Sequence, residues 1–351
     1  MNELLVGVDI GSTTTKIAAV TPDADAQIVY SDYQRHNAKQ IASVKDALKK
    51  FVSKFPTTKI RLCLTGSGSK LLAEGIHFPF VQEVVANSIA LCKLYKRVGT
   101  AIELGGQDAK IVFFKEEKES GQMSVSDMRM NGSCAGGTGA FIDEIASVLR
   151  VPVEKFDQLA AQGTCVYDIS GRCGVYAKTD IQPLLNQGVS KADLALSSFH
   201  AIAKQTIGGL AQGLDIEKPV VFEGGPLTFH KTLVRVFKER LHLSEIDVII
   251  PERPEIMIAY GAALSLQNMH KEAGEFHTAE EILTKIDDFQ NQGSAQDSDG
   301  EKYHYFASEA EKKAFDERHR LADPVWKKRN RGKSLMLILV STPAVPLPNL
   351  C

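Results

Sequence analysis

Cys134 and Cys173 stand in settings that suit a metal-ligating thiolate. Cys134 lies in the run Asn131-Gly132-Ser133-Cys134-Ala135-Gly136-Gly137-Thr138-Gly139, ahead of a helical pattern through Phe141, Ile142, Ile145, Val148 and Leu149. Cys173 lies in Ser170-Gly171-Arg172-Cys173-Gly174-Val175, ahead of a second apolar stretch. Each is read as ending a Gly-rich loop and opening a helix, whose positive end lowers a thiol pKa and favours the thiolate. Two thiolates cannot complete a four-cysteine iron–sulfur site, whereas a two-fold dimer would supply a second pair across its axis. On position alone, two buried free thiols account for these residues about as well.

The elements that must position these loops follow from hydrophobic pattern. Residues 4–9 read as a buried strand, followed by the turn Ile10-Gly11-Ser12-Thr13-Thr14-Thr15-Lys16 and a strand over 17–20. The pattern returns at 100–104, with the turn Gly105-Gly106-Gln107-Asp108 and a strand over 109–114. A third strand, 219–222, runs into Glu223-Gly224-Gly225-Pro226. Helical patterns cover 41–51, 84–95, 194–214 and 231–241. Hairpins alternating with helices in two similar halves predict an α/β protein with a duplicated core, divided as 1–98 and 99–268. A polar, partly helical extension over 269–334 and an irregular tail over 335–351 follow, with 291–300 expected as a loop and helical composition at 309–319.

The three turns share one physical logic. Gly-rich turns let backbone N–H groups approach phosphate oxygens, so Gly11, Gly105 and Gly106 are candidate phosphate-binding positions. Ser12, Thr13 and Thr14 add hydroxyls and Lys16 adds a charge. Asp9 and Glu103, at strand ends, suit a magnesium ion that keeps most of its water. Asp9, Gln107 and Asp108 are the candidate catalytic residues, the last two able to orient or activate a water at a terminal phosphate. Gly224, Gly225 and Pro226 would let a purine and its ribose lie against backbone. A single Gly-Gly is more often an ordinary turn, and the chain has no Walker-type Lys-Ser/Thr loop. Three such turns in this order resemble the actin, sugar-kinase and heat-shock-chaperone ATPase superfamily, which implies an actin-like ATPase fold: two ribonuclease-H-like domains with nucleotide clamped in the cleft between them.

Within that superfamily, the runs from Val8 to Lys16, Glu103 to Asp108, Cys134 to Gly139 and Arg172 to Val175 resemble the activator (component A) ATPases of 2-hydroxyacyl-CoA dehydratases and the related benzoyl-CoA reductase subunits. The resemblance covers about residues 4–268. It implies that Cys134 and Cys173 hold one 4Fe–4S cluster between the halves of a homodimer. ATP hydrolysis would then drive an electron from that cluster to a dehydratase- or reductase-like iron–sulfur partner, with reduced ferredoxin or flavodoxin as donor. Cys63, Cys92, Cys165 and Cys351 match no motif and read as structural. Glu103 departs from the family's usual Asp, and the longer side chain still suits a water-mediated metal contact. The stretches 131–143 and 177–186 look like the N-terminal module of large activase-related proteins. A cluster-free sugar or amino-sugar kinase of the same superfamily, with Asp108 as base, is the alternative.

Composition narrows the setting. The 351 residues are 44% hydrophobic and 24% charged, and 41 basic side chains nearly balance 43 acidic ones, so no polyanion-binding field and no nucleic-acid partner are implied. Six scattered cysteines fit a reducing, cytoplasmic compartment, the first residues show no signal peptide, and no apolar run reaches the roughly 18 residues of a membrane span. The tail carries three prolines among residues 335–349. Read one frame over from Leu339, permitted codons spell Gly-Ile-Asp-Ala-Gly-Ser-Thr-Thr-Thr-Lys, nearly the motif from Gly7 to Lys16. The tail is therefore expected to be the out-of-frame start of a second activase module.

Overall fold

The computed structural model describes residues 3–131, 136–269, 274–299, 306 and 308–319, so Cys134 and the tail 335–351 lie outside the described residues. The chain divides into two compact units after Gln296.

In the first unit, β1 (Glu3–Ile10), β2 (Thr14–Val20), β3 (Ile28–Arg35) and β4 (Lys59–Thr65) form a sheet. β1 pairs antiparallel with β2 and parallel with β4, and β2 pairs antiparallel with β3. Beyond Glu3 every residue of β1 is buried because both faces of the sheet are covered. Leu4, Val6, Val8 and Ile10 enter an outer core with Val44, Leu48 and Phe51 of α1 (Gln40–Lys54) and Leu72 and Ile76 of α2 (Lys70–Ile76). Leu5 faces the other way, into a core shared with the second sheet. α3 (Glu83–Leu94) lies on that shared side.

The second sheet repeats the plan with β5 (Thr100–Leu104), β6 (Ala109–Glu116) and β7 (Met123–Met130). β5–β6 and β6–β7 are antiparallel. The helices that follow are α4 (Gly139–Leu149), α5 (Phe156–Ala160), α6 (Gly174–Asn186) and α7 (Lys191–Thr206). β8 (Val220–Glu223) then joins β5 in parallel, followed by α8 (Gly225–Phe229), α9 (Lys231–Arg240) and β9 (Val248–Ile249). The chain returns through α10 (Met257–Asn268), β10 (His277–Thr278) and α11 (Ala279–Asp299). The strand orders are β10-β4-β1-β2-β3 and β7-β6-β5-β8-β9, so β3-β2-β1-β4 and β7-β6-β5-β8 are the same ribonuclease-H-like motif twice. Phe141, Ile145, Phe199, Phe222 and Phe237 pack the second lobe's own core. α3 and α10 lie between the sheets, and Ala86, Ala90, Ala259 and Ala263 let them approach closely.

The second unit contains α12 (Glu309–Arg318), begun by Ser308, whose hydroxyl accepts the Glu311 amide, in line with its helical composition. Three expectations change. The stretch 291–300 was expected as a loop, yet α11 is helical through Asp299. Ala279, Ile282 and Ile286 anchor the start of that helix in the outer core, and adding residues to an existing helix costs little when no proline intervenes. The helix expected over 194–214 is α7 followed by a π-turn, Ile207–Ala211, at Gly208-Gly209. Cys134 does not open α4, which starts five residues later with Thr138 at its N-cap, because Gly137 turns left-handed at φ +78° just before it. Among the described residues no helix is long and apolar enough to cross a membrane.

Candidate nucleotide cleft and cysteine loops

The three turns converge at the strand ends between the lobes. In the first, the Gly11 amide donates to Thr14 O at 2.9 Å, and His36 holds the turn through Thr13 O and Gly11 O. A loop the sequence reading passed over, Thr65-Gly66-Ser67-Gly68-Ser69, backs it: Gly68 N–H donates to Ile10 O at 2.8 Å, and Ser12 Oγ lies 3.5 Å from Ser67 Oγ. In the second turn the Gly105 amide donates to Asp108 O at 2.7 Å. Asn131 pins it by accepting the Ala109 amide and donating to Gln107 O. The two turns face each other so closely that a Cβ on Gly106 would lie 2.0 Å from Thr13 Oγ1. In the third, Gly224 donates to Pro254 O, and a Cβ there would lie 2.1 Å from Leu104 O.

Thr13, Thr14, Lys16, Glu103, Gly105, Gly106, Gly224, Gly225 and Pro226 all line one cavity. Asp9, Gly11 and Ser12 lie outside that lining, Asp9 being buried. Gln107 is exposed and Asp108 half-buried, and neither lines the cavity. At the mouth, Arg35 of β3 makes a bidentate ion pair with Asp143 of α4 at 2.7 and 3.1 Å. Beside it the Tyr33 and Phe229 rings lie 5.4 Å apart. The cavity is about 60 Å³.

The floor is ionic. Lys16 Nζ lies 2.7 Å from Asp9 Oδ2. Burial pulls the Lys16 pKa down, but the Asp9 charge, its hydrogen bond and the Glu103 charge together hold the ammonium above its usual range, while burial raises the Asp9 carboxyl against the pull of Lys16. Lys110 Nζ lies 2.6 Å from Glu83 Oε2 and 3.1 Å from Glu103 Oε2. Burial alone would raise the Glu83 carboxyl, yet the charge and hydrogen bond of Lys110, with Lys16 and the Ser67 amide, together bring it below the ordinary value. Glu223 accepts a hydrogen bond from Asn87. Burial, reinforced by the Glu103 charge, pushes Glu223 up to about 8. Glu83, Asn87, Lys110 and Glu223 were not among the sequence candidates. A legible signal existed for Lys110, a lysine directly opposite Glu103 in a hairpin whose neighbouring residues are apolar.

A magnesium ion held through water fits this floor. Asp9 Oδ1 is buried and has no hydrogen-bond partner, an acceptor awaiting a donor such as metal-bound water. Among the described residues no three His, Cys, Asp or Glu side chains close around one point.

Of the two cysteines, Cys173 is the N-cap of α6, as expected, and is half-buried. Cys134 lies outside the described residues, but its loop leads into Gly136, where a Cβ would lie 1.9 Å from Arg172 O in the Cys173 loop. The segment from the Cys134 loop is tied to the second turn. The Gly139 and Ala140 amides, orphan donors at the start of α4, donate to Gly105 O and Gly106 O at 2.9 and 2.7 Å. Cys63 is buried in the shared core, its thiol pushed up to about 11 by burial, while Cys92 and Cys165 are exposed.

Comparison with known proteins agrees with this architecture. The (R)-2-hydroxyglutaryl-CoA dehydratase activating ATPase of Acidaminococcus fermentans is 30% identical over 236 residues, which cover 64% of this chain and 84% of that one. The activator of lactoyl-CoA dehydratase of Anaerotignum propionicum is 30% identical over 184 residues, 52% of this chain and 67% of that one. The solved structure of the A. fermentans (R)-2-hydroxyglutaryl-CoA dehydratase component A superposes with a TM-score of 0.65 at 26% identity, covering 78% of this chain and all of that one. The protein thus has the actin-like ATPase fold that the turns predict. A family model for the BadF/BadG/BcrA/BcrD ATPases matches residues 6–265, and the chain belongs to that family of ATPases.

Proposed function

We propose that this ATPase is the activator of an acyl-CoA dehydratase- or reductase-like enzyme, to which it passes a low-potential electron from a 4Fe–4S cluster bridging two subunits. The observation that carries the reading is the pair of hydrogen bonds from the first amides of α4 to Gly105 O and Gly106 O, which join the candidate phosphate turn to the segment leading out of the Cys134 loop. In this reading a change in the turn on hydrolysis reaches the segment after Cys134, whose Gly136 lies against Arg172 in the Cys173 loop. The named relatives, both dehydratase activators, support the same reading.

In this proposal the turns at Gly11–Thr14 and Gly105-Gly106 bind phosphates through backbone amides, and Lys16 adds charge to them. Asp9 and Glu103 hold Mg2+ through water. Gln107 and Asp108 align the attacking water once the turn closes on nucleotide, and Gly224 to Pro226 receive the purine and ribose. Cys173 suits a ligand role because it stands half-buried at the start of α6, at the end of the loop that Gly136 packs against. Cys134 is its proposed fellow ligand, each subunit supplying two thiolates. When bound, the cluster supplies the one-electron reductant. The donor is reduced ferredoxin or flavodoxin, and the protein works in an anaerobic cytoplasm. A sugar kinase would share the fold, but a cysteine at a helix start has no task in phosphorylating a hydroxyl.

Anaerobic reconstitution tests this. About four iron atoms per dimer are expected, with loss of iron and of absorbance near 400 nm (roughly, for thiolate-ligated clusters) in Cys173→Ala and Cys134→Ala, and retention in Cys165→Ala. Unchanged iron in Cys173→Ala would remove the ligand assignment.

A further inference from the structure

The cleft floor contains a cation of the protein's own. Lys110 is 4% exposed, and its ammonium sits between Glu103, on the neighbouring strand, and Glu83, at the first turn of α3. The Glu103 contact is set by register, since the two residues are direct partners in the β5–β6 pairing. Glu83 is held in turn by accepting the Ser67 amide at 2.9 Å. With Asp9 on Lys16, three carboxylates face two ammonium groups, a formal charge of 2 − 3 = −1.

A bare divalent ion entering this floor would turn −1 into +1 and would have to shed water that it gives up reluctantly. The same ion arriving on a triphosphate brings its own compensating charge. We propose that Lys110 is a positioning residue that stands in for the divalent cation in the nucleotide-free cleft, holding Glu83 and Glu103 in place and turning away bare metal, so that the ion binds only as its nucleotide complex. This rests on the reading of the cleft as a magnesium–nucleotide site. Without Lys110 the floor is −2, which one divalent ion neutralises.

The test uses Mn2+ on the full chain, with binding followed by the electron paramagnetic resonance of the free ion. Without nucleotide, wild type and Lys110→Arg are expected to bind Mn2+ weakly, and Lys110→Met, of similar length but uncharged, at least about tenfold more tightly. With ATP present, which itself takes up the free ion, binding is read instead as Mn2+ and ATP retained together with the protein on ultrafiltration, and all three are expected to retain both. A wild type that binds Mn2+ with ATP, yet takes up bare Mn2+ as tightly as Lys110→Met does, overturns the proposal alone. A wild type that binds no Mn2+ even with ATP overturns the cleft reading and the proposal with it. Should Lys110→Met be unfolded as purified, millimolar Mn2+ must restore a cooperative thermal transition by replacing the lost charge, and failure to restore it also overturns the proposal.

Discussion

Glu223 shows how much one buried carboxyl depends on its surroundings. One oxygen takes the Asn87 amide, the other has no partner, and Glu103 is its neighbour on the adjacent strand. Its folded pKa of about 8 stands above the 4.5 of an ordinary glutamate. The folded chain therefore keeps a proton that the unfolded chain releases between those values. Stability from this group is complete below pH 4.5 and is lost as pH rises through about 8. The stability of Glu223→Gln relative to wild type should accordingly grow across that window by up to about 1.4 kcal/mol per pH unit, then level off. Urea unfolding of both proteins in a chelator, over a pH series, checks this, and a pH-independent difference would refute it. Asp9→Ala should lower ATP hydrolysis at least ~100-fold, a loss typical of removing a group that places charge at the reacting phosphate. Because Asp9 and the cysteine loops are on separate elements, its iron content should match wild type; a wild-type hydrolysis rate would exclude Asp9 from the chemistry.

At the scale of elements, β3 closes the cleft against α4 and α8. The cavity's 60 Å³ is far below the roughly 300 Å³ at which ligand pockets begin, so in the proposed reading nucleotide enters by parting Arg35 from Asp143 and Tyr33 from Phe229. Both members of the ion pair are partly exposed, which limits its worth to about 1 kcal/mol or less. Arg35→Ala should therefore speed release of a fluorescent ADP by at most about fivefold in stopped flow. The exchanged pair Arg35→Asp with Asp143→Arg should restore the slow rate. An unchanged rate in Arg35→Ala would show that opening is limited elsewhere.

For the whole molecule, the layer of α3 and α10 decides how the lobes behave. Leu5, Ala18 and Cys63 from one sheet and Ala101, Val112 and Val221 from the other share a core with these helices. The lobes are thus joined through this shared core. Gly261 of α10 lies against α3, where a Cβ would come within 1.8 Å of Ala86 O. Gly261→Val should cost roughly 1–3 kcal/mol or more by overpacking. Because the layer serves both lobes, calorimetry should record one transition shifted down rather than two separated ones; two transitions would mean that the lobes unfold independently.

The three turns and the start of α6 could be read from the sequence because their chemistry is local. A glycine pair between two apolar runs, a hydroxyl beside it and a cysteine before a helical period need no distant partner to be recognised. Other features needed the tertiary structure. Glu83 and Lys110 come from different lobes, as do Arg35 and Asp143, and nothing near either residue in the chain names its partner. The place of Cys173 beside the loop after Cys134 likewise depends on how α4 and α6 pack. The polar stretch through 291–299 looked like a loop because composition cannot register that Ile282 and Ile286 upstream are buried and hold the helix. Turn geometry is set within a few bonds, whereas pairing of charges and burial of a helix face are set through space, after the two sheets have closed on α3 and α10.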